Sequence, residues 1–148
     1  MPATPADAQV VMQLYDLRRE PEMRKARNWF VMFDPQSADE LVNAVMAFGS
    51  DGSRYYRMVT SYWEMAAAMA LHGAVNEQLF LDTQPEMFLV FAKLAPYLKD
   101  FREKAGNPES MKQVETLVNQ SEEGRKKLQA VTERIARMRV LAASAQKK

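Results

Sequence analysis

Glu64 is the residue whose type and setting most invite chemistry. It lies in Tyr62-Trp63-Glu64-Met65-Ala66-Ala67-Ala68, where nearly every neighbour is apolar. A buried carboxylate must find a cation or become neutral. Three readings stay open: a narrow wet stripe shared with Arg57 and Ser61, a buried structural ion pair, or a ligand-binding or general-acid carboxylate. Partners available for the pair are Arg18, Arg19, Arg24, Arg27 and Arg102. For the ligand reading, Trp29, Tyr55, Tyr62 and Trp63 could wall a pocket around Glu64, since pocket walls are aromatic with a few polar tips. The same aromatics equally make an ordinary core.

The remaining chemistry-bearing residues are few. His72 is the single histidine and there is no cysteine. A structural zinc site draws on several His or Cys ligands, and a di-iron bundle on Glu-x-x-His pairs; neither pattern is present. His72 precedes Gly73, which suits a helix C-terminus better than a catalytic centre. No phosphate loop, nucleophile elbow or dinucleotide fingerprint is legible. The expectation is therefore a non-enzymatic protein without catalytic residues, metal or cofactor.

Charge gives a local signal only. The net charge is +1, so no global attraction to nucleic acid or acidic membrane is implied. Residues 121–148 carry eight Lys/Arg against three Glu. That basic bias allows nucleic-acid binding as an alternative function, although no aromatic residue is interleaved with it. The most apolar stretch, Met58 to Leu71, is shorter than the about 20 residues a bilayer span needs. No basic start followed by an apolar core marks a signal peptide. A cytoplasmic chain without membrane contact is the expectation.

Helices must position all of these groups. The chain has 148 residues, 5 glycines and 11 methionines, a helix-friendly composition of one-domain size. Asp7 can cap a helix through Val10, Val11, Leu14 and Leu17, leaving residues 1–6 as a tail. Pro21 suits the first turn of a second helix, which Asp34-Pro35 ends. Ser37 to Glu40 and Thr83 to Glu86 read as capping boxes. A helix from Asp51 or Ser53 to His72 carries apolar residues on adjacent stripes and is read as central. Asn76 caps a short helix, Pro96 predicts a kink near Ala92, and Gly106 to Glu109 closes one helix and opens the next.

The last segment, 109–144, spaces Val114, Leu117, Ser121, Gly124, Leu128, Val131, Ile135, Met138 and Ala142 by threes and fours. That is heptad spacing. Ser121 and Gly124 either split it into two helices or admit a close neighbour. This seam suggests a homo-oligomer. The prediction is an all-α bundle of six or seven helices over residues 7–145, working as an interaction or oligomerisation module. A regulatory domain with an aromatic ligand pocket is the alternative.

The order of these features resembles a group of small bacterial helical domains of unknown function. The resemblance rests on Tyr15-Asp16-Leu17-Arg18-Arg19-Glu20 leading into Arg27-Asn28-Trp29-Phe30. It continues through Tyr62-Trp63-Glu64, Leu71-His72-Gly73 with Asn76-Glu77, and Leu94-Ala95-Pro96 with Arg102, covering residues 10–104. It implies a helical fold, supplies no activity, and implies that Glu64 and Arg102 matter to the fold. Members of the group often follow an N-terminal membrane helix, and no such segment is seen in this sequence.

Overall fold

The computed structural model describes residues 1–147. Among them are nine α-helices, one 3-10 turn and no strand. The helices are α1 (Pro5–Arg18), α2 (Pro21–Met32), α3 (Ala38–Met46), α4 (Asp51–Leu71) and α5 (Glu77–Thr83), followed by α6 (Pro85–Leu94), α7 (Leu98–Ala105), α8 (Lys112–Asn119) and α9 (Glu122–Gln146). The all-α expectation holds. The helix number exceeds the expected six or seven because two segments break where backbone chemistry demands it. Pro96 cannot donate within a helix, so Ala95–Tyr97 tighten into the 3-10 turn between α6 and α7. The break falls there rather than as a kink at Ala92. The 109–144 segment splits at Ser121, whose hydroxyl accepts from the Gly124 amide at 3.0 Å and caps α9.

Helix ends follow local capping, with some shifts from the sequence reading. Thr4, not Asp7, caps α1. Asp7 sits at the third position and returns the bond to the Thr4 amide at 2.7 Å. The N-terminal tail is thus shorter than expected. Ser50 caps α4 ahead of both expected candidates. The box expected at Thr83 does not form, because the Thr83 hydroxyl donates back to Leu79 O at 2.7 Å and α6 starts without a side-chain cap. The helix expected to open at Pro108-Glu109 begins only at Lys112. At the other end, α9 continues to Gln146, one residue past the expected bundle limit of 145, and Lys148 lies outside the described residues.

The α4 helix is central, as its adjacent apolar stripes imply. It buries Tyr56, Val59, Tyr62, Trp63, Ala66, Ala67 and Ala70, and packs chiefly against α2 and α8. Small residues at 66, 67 and 70 let neighbouring helices approach closely. The core continues through Phe30, Leu41, Phe80, Met87, Phe88, Leu94, Leu98, Leu117 and Val118.

The α8–α9 corner depends on a glycine. A Cβ built on Gly124 would lie 2.5 Å from the carbonyl oxygen of Val118 and 3.1 Å from the Ser121 hydroxyl. The carbonyl is backbone and cannot swing aside. Gly124→Ala is expected to cost about 1–2 kcal/mol, in the range of other overpacking changes, read as a lower midpoint in urea unfolding.

Candidate functional site

Glu64 projects from α4 towards α8. The residue before α8, Met111, has a left-handed backbone (φ 59°) and supplies no side-chain cap, leaving the first amides of α8 open. The Glu64 carboxylate closes them: Oε2 accepts from Gln113 N at 3.2 Å and Oε1 from Val114 N at 2.9 Å. An anion at the positive end of a helix gains from both the hydrogen bonds and the dipole. The ion pair expected between Glu64 and Arg102 is not formed. Arg102 donates to Ser110 O at 2.8 Å and pairs with Glu115 at 3.2 Å. The two residues still serve one purpose, since both fasten the 110–115 segment to the body.

The five residues expected around an aromatic pocket are not brought together as one. Trp63 is 0% exposed, with the Arg18 guanidinium 5.4 Å from its ring centroid and Tyr62 edge-on at 4.9 Å. The Tyr62 hydroxyl donates to Leu14 O at 2.7 Å, pinning α1 to α4. Trp29 stacks on Phe33 at 4.5 Å and meets Tyr55 at 6.5 Å. None of the five lines either cleft described below. They are core and helix-crossing residues. Periodicity could not separate these roles, because Tyr55 and Tyr62 share a helical stripe yet meet different helices.

Lys93 stands out only in three dimensions. It lies on α6 and is 7% exposed. Its ammonium donates to Phe30 O at 3.0 Å, Val31 O at 2.7 Å and Phe33 O at 2.9 Å, at the C-terminal end of α2. A cation belongs at that negative end. Burial pulls the Lys93 pKa below the usual lysine value, opposed by the nearby Asp34 carboxylate. The three carbonyls take all three protons, so the group is a structural cation rather than a free amine. The sequence carried one weak sign of it, a lysine among Phe88 to Leu94.

Two of the clefts among the described residues bear on function. One, of about 640 Å³, lies between the N-terminal residues, the end of α4 and α5, with Asp7, Asn76 and Gln78 among its walls. Asp7 is already committed there, accepting from Asn76 N at 2.8 Å. The other is a groove of about 720 Å³ between the end of α2, the outer face of α6 and α9. Its floor is Leu89, Val131 and Ile135; its rims include Val31, Met32 and Met138. Met32 is 82% and Met138 60% exposed.

The heptad seam runs into this groove. Val114, Leu117 and Gly124 are buried, and Leu128, Val131 and Ile135 half-buried, all within the chain. Beyond Ile135 every described residue of α9 is exposed. A single clasp holds that stretch, the pairing of the Arg139 guanidinium with the Asp34 carboxylate. Arg139 holds the Asp34 carboxyl below the usual value of 3.8, against a smaller opposing effect of burial. A lowered carboxylate pKa means that the clasp is complete above that value and is lost as the pH falls below it. Protection of the amides of residues 136–146, taken relative to the intrinsic exchange rate at each pH, is expected to fall as the pH drops below 3.8 and, at neutral pH, in Asp34→Asn. An exposed pair contributes under about 1 kcal/mol, so global unfolding should shift little.

Part of the basic bias of the C-terminal segment is answered within the chain. Arg125 donates to Asn119 O at 2.7 Å, Lys126 meets Glu122 at 3.0 Å and Lys127 meets Asp82 at 3.6 Å. Among the described residues, no cluster of three or more His, Asp or Glu is placed to hold a metal ion. No helix of the described residues is long and apolar enough to cross a membrane.

The model of a domain of unknown function, DUF4760, matches residues 3–121. The chain belongs to this family. The match ends at Ser121, the cap of α9. The match spans α1 to α8; α9, which supplies one wall of the groove, lies beyond the matched residues. No curated protein and no solved structure matches the chain.

Proposed function

We propose that the chain is a non-catalytic interaction module that receives an amphipathic helix of a partner in the α2–α6–α9 groove. The groove itself carries this reading: about 720 Å³ of space, mostly apolar walls and two exposed methionine rims. Methionine adapts its shape and is favoured at surfaces that accept helices. The wall contributed by α9 runs from Val131 to Ala142, about 16 Å at 1.5 Å per residue. That length matches three turns of an incoming helix with anchors at i, i+3, i+4 and i+7.

A second copy of the chain suits the surface less well than the seam suggested. The outward part of the seam is reduced to Met138 and Ala142, well short of the three or four heptads a stable coiled coil uses. In a symmetric antiparallel pair centred on Met138, Arg137 and Arg139 of one copy would lie opposite Arg139 and Arg137 of the other.

Isothermal titration calorimetry tests the reading with a 14-residue helical peptide bearing a leucine stripe and glutamine elsewhere. The expected result is saturable binding with a Kd on the order of 10 μM and a negative heat-capacity change from apolar burial. Met32→Glu with Met138→Glu should abolish binding while leaving the melting temperature in place. Absence of saturable heat up to millimolar peptide contradicts the reading. Light scattering that finds a dimer dispersed by the same double variant replaces the partner helix with a second copy.

A further inference from the structure

We infer that the helix received by the groove is acidic, with Asp or Glu flanking its apolar stripe. The inference rests on the docking reading above and deepens it. Five charged residues line the groove: Asp34, Glu86, Lys93, Arg134 and Arg139. Both carboxylates are already taken, Asp34 by Arg139 and Glu86 by Arg27 at 3.0 Å. The Lys93 ammonium is turned into the end of α2 and spends its protons on three carbonyls. Arg134 is the charge left over. Among the described residues neither Arg134 nor Arg137, one turn further along α9, has a carboxylate within 4.0 Å.

The surplus around the groove is therefore positive and sits on its α9 wall. A basic helix entering it would set its cations against Arg134 and find no free carboxylate among the residues that line the groove. An acidic helix would complete an ion pair with Arg134 at the groove's edge while its apolar stripe covers Leu89, Val131 and Ile135. Charge complementarity of this kind selects partners and speeds encounter more than it deepens affinity. Its effect fades as salt screens exposed charges.

Two 14-residue peptides with the same leucine stripe, one flanked by Glu and one by Lys, are titrated into the full chain. Salt is set at about 20 mM and about 300 mM, roughly 20 Å and 6 Å of screening length. The Glu peptide is expected to bind about tenfold more tightly at low salt, with the gap narrowing at high salt. Arg134→Glu with Arg137→Glu should reverse the preference. Both side chains are exposed, and an unchanged melting curve checks the fold of the variant. Equal binding of the two peptides overturns the acidic partner and leaves the docking groove standing. Binding of neither overturns both. Co-sedimentation with phosphatidylserine vesicles, lost in the same double variant while the peptides are not discriminated, assigns the surface to lipid and overturns the inference.

Discussion

Lys93→Met should lower stability by about 3 kcal/mol, although it removes a buried charge that burial itself disfavours. Two effects oppose each other. Taking the ammonium out of a nearly closed site relieves its desolvation, which is the largest cause of its lowered pKa. Against that, Phe30 O, Val31 O and Phe33 O lose their shared donor. Phe30 O is buried, while the other two sit where water can partly replace the lysine. One orphaned buried carbonyl costs about 1–3 kcal/mol, and bonds to a charged donor contribute about 1.5–3 kcal/mol. The carbonyl side wins because three acceptors depend on one group. With about 3 °C per kcal/mol for a chain of this size, the melting temperature should fall by about 9 °C. Lys93→Arg is not expected to restore it, since a planar guanidinium cannot aim three protons at three clustered carbonyls. A melting temperature unchanged by Lys93→Met would show that α2 does not need this cap.

Glu64→Ala should cost about 2 kcal/mol, and Glu64→Gln about half of that. Alanine leaves the amides of Gln113 and Val114 without an acceptor and removes the anion from the helix start; glutamine keeps one acceptor oxygen and loses the charge. Helix α8 is only 8 residues long and buries Val114, Leu117 and Val118. A frayed first turn therefore reaches the core directly. Hydrogen exchange over residues 112–119 should speed up in both variants, more in alanine. If exchange there is unaffected while stability falls, Glu64 acts elsewhere than at this helix.

These two residues mark where sequence reading succeeds and where it stops. Capping by neighbours is legible because donor and acceptor lie three residues apart, as at Ser37, Asn76 and Ser121. Glu64 and Lys93 cap helices that lie 50 and more positions away in the chain. Local spacing cannot reveal that; only an isolated charge in an apolar run hints at it. Glu64 carries that sign, though its partner is backbone rather than Arg102. Lys93 carries the same sign within Phe88 to Leu94. The heptad seam was legible as a pattern but not as a partner choice, since the same spacing serves a neighbour in the chain or one outside it. The groove had no signature at all. It arises from Val31, Leu89 and Val131, which lie on three separate helices.

Hydrogen–deuterium exchange on the full chain with saturating Glu-flanked peptide shows whether this groove receives a helix. Protection is predicted in three separated stretches, about residues 29–36, 85–93 and 131–142, with the core of α4 unchanged. Protection confined to the cleft near Asp7 and Asn76, or none in the α9 stretch, would contradict it.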